Sequence, residues 1–361
     1  MSTTNSDYPV DIAKLFNIEG DIKECRPYGN GHINSTFIIV NNAGKRYILQ
    51  SVNTNVFKKP EQVMSNILKV TSFLRNNTDD LRRVMSLIET KDGKAFYISE
   101  DGKCWRVFDF VEDSICLEAP QTPEDFYQTA VAFGQFQNQL NDFPVNELFE
   151  TIPDFHNTPK RFGDFISAVE ADVCGRAAEV KSEIEFIKQR KDFCSVLYKA
   201  NEEGRLPFRV THNDTKINNV MLDSKTRKAL CVIDLDTIMP GFSVTDFGDS
   251  IRFGASTAAE DEKNLDKVWI DLELFQSYAK GFLEGCGGLL GPEEILLMPE
   301  GAKMMTLECG MRFLTDYLSG DTYFKTAYEG HNLDRCRTQL KLVAVMEKHW
   351  DEMKEIVKKY I

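Results

Sequence analysis

The sequence has little of what builds a metal or disulfide framework. Its nine cysteines, odd in number, are scattered from Cys25 to Cys336 without a CxxC pair, and its five histidines do not cluster with them. That spacing excludes a zinc ribbon or a disulfide-stapled module and fits reduced, mostly buried thiols. Long hydrophobic runs are also missing: nothing approaches the roughly 18 apolar residues of a membrane-spanning helix, and MSTTNSDYPV carries no basic stretch leading into an apolar core. Positive charge is in deficit, with 43 Lys plus Arg against 56 Asp plus Glu and a net charge of −13. Without a basic patch interleaved with aromatics, neither nucleic acid nor an anionic membrane is an expected partner. No repeat, low-complexity tract or long linker divides the 361 residues, which suffice for a large core and two lobes. The expectation is a cytoplasmic protein acting on small molecules, with its oligomeric state left open.

What is present is concentrated between Thr211 and Asp236. THNDTKINNVMLD contains His212-x-Asp214-x-x-x-x-Asn219, and Ile233-Asp234-Leu235-Asp236 follows. An apolar approach (Leu206, Phe208, Val210) and a short strand at 220–222 predict a loop over 212–219 on a rigid base, and KALCVI predicts a buried strand delivering Asp234 at its end. Phosphoryl transfer needs a carboxylate beside the attacking hydroxyl, and acidic or amide oxygens that hold magnesium against the phosphates. Asp214 suits the first task; Asn219 and Asp234, with Asp236 as a helper, suit the second. His212 reads as a brace for the loop through hydrogen bonds rather than as a base. A literal Asp246-Phe247-Gly248 lies too far along to supply the metal ligand if Asp234 does, so Asp246 reads either as a group fixing the loop or as a helix N-cap. HRD, APE and a long activation loop are absent, which points away from a protein substrate.

The segments ahead of this motif are β-rich, with strands expected at 36–40, 47–49, 95–98 and 105–110. A helix over 60–75 interrupts them, placing Val63, Ile67, Val70 and Phe73 on one face. Gly29-Asn30-Gly31-His32-Ile33-Asn34 precedes the first of those strands, where small residues would let backbone amides approach phosphates; an ordinary hairpin turn reads the same way. WRVFDFVE at 105–112 reads as a strand entering a hinge, making Asp109, Phe110 and Val111 candidates to meet an adenine edge, or simply as a buried strand. Helices follow Pro120, starting at Thr122-Pro123-Glu124-Asp125 with Phe126, Phe133, Phe136 and Leu140 on a core face, and continuing over 158–200 and 262–361 with a break at 285–292.

These blocks, with QSVNTNVFKKP at 50–60, VIDLDTIMPGFSVTDFGDSIRFGA at 232–255 and MRFLTDYLSGDTYFK at 311–325, resemble the aminoglycoside phosphotransferase and choline kinase superfamily, and within it the N-acetylhexosamine 1-kinase branch. They run in family order over nearly the whole chain. The resemblance implies an α+β, two-lobed protein-kinase-like fold: a small β-rich nucleotide-binding lobe over 1–110, and a larger, mostly helical catalytic and acceptor-binding lobe over 111–361. It implies phosphorylation of the anomeric hydroxyl of GlcNAc or GalNAc by ATP with Mg2+, giving the sugar 1-phosphate. Asp214 would act as base and acceptor contact, and Gly29, Asn30, Gly31 and Asn34 would cover the phosphates. It points to Arg312, Tyr323 and Trp350 as hydroxyl, acetamido and ring contacts; a helix ion pair for Arg312 and a core position for Trp350 are the plainer alternatives. His32, by its place next to the glycines, reads as a further acceptor contact.

One departure stands out. Gln50 occupies the position where a phosphate-pairing lysine often sits, and an amide donates a hydrogen bond but no charge. Lys45, Arg46 or Lys58 is then expected to approach the nucleotide, or magnesium to carry more of the load, and Glu61 on the following helix loses its partner. Two alternatives stay open: a kinase of another small alcohol, such as choline, homoserine, methylthioribose or an aminoglycoside, and a nucleotide-binding pseudokinase.

Overall fold

The structure, a computed structural model, describes residues 8–29 and 34–361. Helix α1 (Tyr8–Ala13) leads into strands β1 (Ile22–Pro27), β2 (Ser35–Asn41) and β3 (Arg46–Val52), helix α2 (Pro60–Asn76), and strands β4 (Leu87–Ile88), β5 (Tyr97–Ile98) and β6 (Cys104–Asp109). The six strands form one antiparallel sheet in the order β1-β2-β3-β6-β4, with β5 also pairing β6. Side chains alternate between the two faces of a strand. Tyr47, Leu49, Trp105 and Val107 pack beneath α1 with Ile12, Ala13 and Phe16, so Gln50 and Arg106, out of phase with them, turn to the opposite face, where Met64 of α2 lies. Buried Asn66 ties α2 to the rest of the chain, its Nδ2 donating to the carbonyls of Phe149 at 2.8 Å and Ile238 at 2.9 Å.

Strand β1 has no counterpart in the sequence reading. It is a solvated edge whose only neighbour in the sheet order is β2, and its IKECRP stretch carries no buried residue from which a strand could be read.

Beyond β7 (Ser114–Cys116), α3 (Pro123–Gln139) starts at a capping box, with the Asp125 amide donating to Thr122 Oγ1 at 3.2 Å and the Thr122 amide to Asp125 Oδ2 at 3.1 Å. Helices α4 (Thr158–Ala171), α5 (Lys181–Lys188) and α6 (Val196–Glu202) precede strands β8 (Arg209–Thr211), β9 (Val220–Asp223), β10 (Ala229–Val232) and β11 (Met239–Gly241). These strands form two small sheets, β10-β9-β7 and β11-β8. Helices α7 (Ser243–Gly254), α8 (Leu272–Cys286), α9 (Pro292–Leu296), α10 (Met298–Leu318), α11 (His331–Lys348) and α12 (Trp350–Lys358) complete the chain. The aromatic stripe of α3 is core, and α8 stops where Gly287 adopts φ +59°. This is the α+β arrangement, sheet first and helices after.

One close approach positions the site. A Cβ built on Gly248 of α7 would lie 2.3 Å from the Gly301 carbonyl oxygen of α10, so glycine there lets α7 seat directly against α10. All nine cysteines are free, and burial pushes the Cys104, Cys194, Cys231 and Cys286 thiols up to about 12. No helix among the described residues is long and apolar enough to cross a membrane.

Candidate active site

Residues 212–219 form the loop between β8 and β9, and its shape is set by the elements beneath it. Asn213 sits at φ +64°, a strained conformation that must be held by its surroundings. The holder is Asp246, whose Oδ2 accepts the His212 amide and Gln137 Nε2 and whose Oδ1 accepts the Asn213 amide, each at 2.8 Å. Asp246 stands within the first turns of α7 and is no N-cap; Phe242 occupies that position. Asp249 Oδ2 receives the Thr215 amide at 3.1 Å, and the Thr237 hydroxyl donates to the His212 carbonyl at 2.7 Å. His212 packs edge-on against Phe133 and Phe136, with Nε2 2.8 Å from the Ile233 carbonyl and Nδ1 accepting the Asp214 amide at 3.3 Å. Those partners call for the Nε2–H tautomer and occupy both ring nitrogens.

The loop brings Asp214, Lys216 and Asn219 to one point. Lys216 Nζ lies 2.7 Å from Asp214 Oδ1, and Asn219 Nδ2 donates to the Asp214 carbonyl at 2.8 Å and to its Oδ2 at 3.2 Å. Burial alone would raise the pKa of Asp214, but the Lys216 charge and the Asn219 hydrogen bond outweigh it and hold the group below its ordinary value. Across from this loop, Asp234 leaves β10 at φ +59° with no hydrogen-bond donor on its carboxylate among the described residues. Burial, then the charges of Asp236 and Asp214, push it up to about 7. Asp234 is exposed to solvent, so the repulsion from the two neighbouring carboxylates is the firmer cause of the rise.

A carboxylate without donors, crowded by two others, is suited to a cation, and Asn219, whose amide nitrogen makes both of its hydrogen bonds to Asp214, keeps Oδ1 without a protein donor among the described residues. Among the described residues no three His, Cys, Asp or Glu side chains close around a metal. One carboxylate and one amide oxygen, completed by phosphate oxygens and water, is a set magnesium accepts. Since the pKa of Asp234 is raised, to about 7, a magnesium ion held there would have to displace a proton below that pH. Apparent magnesium affinity is therefore expected to fall by up to about tenfold per pH unit below about 7 and to level off above it. Calorimetric titrations across this range in two buffers would check it, and a pH-independent affinity without proton release would refute it.

Asp236, next door in sequence, faces elsewhere. The short turn Leu235–Thr237 directs it to Arg106, with which it forms an ion pair whose side chains are 1% and 4% exposed, while its Oδ2 accepts Asn34 Nδ2 at 2.7 Å. Each oxygen carries a protein donor, so Asp236 is bound first to Arg106 and Asn34 rather than left open as the metal helper expected of it. Two of the cations expected beside Gln50 are engaged elsewhere: Lys45 Nζ pairs with Glu19 at 2.7 Å and Arg46 with Glu112; Lys58 is exposed and makes no ion pair among the described residues. The cation is Arg106, and its acid is Asp236 in place of Glu61. Gly29 (φ +76°) and Asn34 flank the tip of the β1–β2 hairpin; Asn30, Gly31 and His32 lie outside the described residues. Asp109, Phe110 and Val111 form the exit from β6, where the Phe110 amide donates to the Arg46 carbonyl at 3.3 Å and Arg46 stacks over the Phe110 ring at 4.0 Å.

On the other side of the loop, His156 Nε2 lies 3.2 Å from the Asn213 carbonyl and Nδ1 lies 2.8 Å from Glu308 Oε1. Burial would lower the pKa of His156, but the Glu308 charge wins and raises it; both its partners are acceptors, as an imidazolium requires. Arg312, one turn beyond Glu308 on α10, makes no ion pair among the described residues. It is framed by the rings of Phe155, Tyr323 and Phe324 at 5.4–5.7 Å and reaches Tyr323 Oη at 3.5 Å. Asp316 holds the segment bearing Tyr323 by accepting the amides of Thr322, Tyr323 and Phe324, and Tyr323 stays 62% exposed. Trp350 is not part of this group. It lies against Lys303 and Lys354, and Lys303 is about 13 Å below Arg312 along α10 at 1.5 Å per residue.

Residues 24–273 match the APH family, the phosphotransferase enzyme family. The chain belongs to this family. An aminoglycoside phosphotransferase from Alicyclobacillus acidocaldarius subsp. acidocaldarius DSM 446 superposes with a TM-score of 0.67 at 12% identity, over 97% of this chain and 96% of its own. The microcompartment-associated aminopropanol kinase gives 0.63 at 16% identity over 96% and 98%. Amicoumacin kinase hAmiN, in complex with AMP-PNP, Ca2+ and Ami, gives 0.63 at 13% over 93% of each chain. At such identities the likeness is one of fold. Three residues of this phosphotransferase's site escaped the sequence reading. Lys216 stands inside the quoted motif and its spacing from Asp214 was a usable signal, whereas nothing local marks Arg106 or His156.

Proposed function

We propose that this phosphotransferase is an ATP- and magnesium-dependent kinase acting on the anomeric hydroxyl of N-acetylhexosamines and releasing the sugar 1-phosphate. The observation that carries the kinase reading is the convergence of Asp214, Lys216 and Asn219 from one loop upon Asp234 at the end of β10. Asp214, held ionised, accepts a hydrogen bond from the acceptor hydroxyl. It takes the proton as that oxygen bonds to the terminal phosphorus and the bond from phosphorus to the departing ADP oxygen breaks. Asn219 Oδ1 and Asp234 would hold magnesium, which when bound neutralises phosphate charge. Lys216 places its ammonium beside Asp214, where it offsets charge on the transferring group.

Gly29 to Asn34 and Gln50 are proposed to face the phosphates, and Asp109 to Val111 the adenine. That a protein of this fold binds AMP-PNP with Ca2+ supports a nucleotide with a divalent ion as donor. The sugar assignment is supported by the sequence blocks and by Arg312, an unpaired guanidinium among aromatic faces, which suits the acceptor oxygens and ring of a neutral polyol. Tyr323 is proposed to join it; Trp350 is not.

Incubation with magnesium ATP and a panel of GlcNAc, GalNAc, glucose, galactose, choline, homoserine and an aminoglycoside, read by phosphorus NMR, is expected to give a sugar 1-phosphate signal from the N-acetylated sugars. Phosphate on choline or another alcohol would keep the mechanism and overturn the acceptor. No product from any acceptor, despite nucleotide binding, would favour the pseudokinase.

A further inference from the structure

Gln50 carries no charge, but the residue directly across the strand pair from it does. In the β3–β6 ladder Gln50 faces Arg106, a side chain 1% exposed, whose Nε and Nη2 donate to Gln50 Oε1 at 3.1 and 2.9 Å and whose Nη1 donates to Asp236 Oδ1. On the other neighbour of β3, Thr36 lies opposite Gln50 and accepts its Nε2 at 3.2 Å. The row continues through Asp236 Oδ2 to Asn34 Nδ2 at 2.7 Å, and Asn34 Oδ1 accepts the Asn53 amide at 3.0 Å. Three strands of the small sheet, the foot of the glycine hairpin and the turn that presents Asp234 thus share one hydrogen-bonded chain. A guanidinium stays charged at any working pH. Burial of such a charge is costly unless an acid answers it, and Asp236 is that acid, two residues from Asp234. The charge of Arg106 reaches Asp234 as well and opposes the rise in its pKa.

We propose that Arg106 is the small lobe's phosphate-site charge, carried one strand over from the position where a lysine would replace Gln50, and that it is a positioning residue. Through Asp236 it fixes the turn that aims Asp234, and through Gln50 and Asn34 it ties that turn to the sheet and hairpin over the nucleotide. Its guanidinium has no need to touch the phosphates. The proposal rests on the kinase reading above.

The test transposes the charge. In the full chain, Arg106→Gln is expected to lower kcat about 100-fold while the Kd for magnesium ADP changes less than about tenfold. The double variant Gln50→Lys with Arg106→Gln returns an ammonium to the same row opposite Asp236, and Arg106→Lys keeps one in place; at least one of the two is expected to recover kcat to within about tenfold of the parent. An Arg106→Gln protein that folds and turns over like the parent would overturn the proposal. So would two charge-keeping variants that melt with the parent and yet both fall short of that recovery, since a positive charge in this row would then not be what sustains turnover. If Arg106→Gln does not fold, these two variants decide by the same criterion. A parent that binds no magnesium ADP in calorimetry overturns the kinase reading and this proposal with it; a parent that binds it and is indifferent to residue 106 overturns the proposal alone.

Discussion

Asp214→Asn is expected to lose turnover about a thousandfold while keeping its fold and its affinity for magnesium ADP. The asparagine is nearly isosteric and still accepts a hydrogen bond through one oxygen, so the Asn219 contacts to the 214 carbonyl and side chain can persist. What it cannot do is take the acceptor's proton, and it leaves Lys216 without its 2.7 Å partner. Single-turnover rates, the melting temperature and calorimetric nucleotide binding, measured on the same preparation, separate these effects. A variant with near-parent turnover would remove Asp214 from the base role, and one that no longer folds would make its pair with Lys216 a structural anchor.

Asp246→Ala should fail in the opposite way, through the scaffold. The carboxylate satisfies the buried amides of His212 and Asn213 and the side chain of Gln137, and alanine leaves all three N–H groups unpaired. At about 1–3 kcal/mol for each buried group left without a partner, the loss over the three is roughly 3–9 kcal/mol, enough to lower Tm on the order of 10 °C. Asn213, held at φ +64° largely by those contacts, would relax and carry Asp214 with it, so kcat is expected to drop about 100-fold as well. Denaturant unfolding alongside turnover checks both, and a stability within about 1 kcal/mol of the parent would show that the loop is held by other means. The two carboxylates thus separate cleanly: one variant is stable and slow, the other is both unstable and slow.

The loop 212–219 was legible because its chemistry is local. Eight consecutive residues between two apolar stretches leave little freedom for Asp214 and Asn219 to be anywhere but together, and an apolar run ending at Asp234 delivers that side chain at a strand end whatever the rest of the chain does. The start of α3 was legible for a similar reason, since Thr122, Pro123 and Asp125 serve one another's backbone. Strand β1 was not, because a solvated edge strand needs no apolar alternation. The partners of Asp236 were not legible either, because two residues of separation in a tight turn are enough to aim neighbouring carboxylates into different surroundings. Trp350 was grouped with Arg312 through the family resemblance, and the length of α10 keeps them apart.

The sequence by itself determined the succession of a β-rich and a helical region, the catalytic loop and the strand-end aspartate, since each depends on contacts within a few residues. Only the tertiary structure decided which cation stands beside Gln50, which acid holds the loop amides and which histidine supports Asn213 from behind. Arg106 meets Gln50 through strand register, Asp246 meets the loop through the seating of α7 on α10 at Gly248, and His156 meets Asn213 through the packing of a distant segment against Glu308. Such encounters depend on how whole elements pack, and packing is set by the sum of many weak contacts that no short stretch of sequence contains.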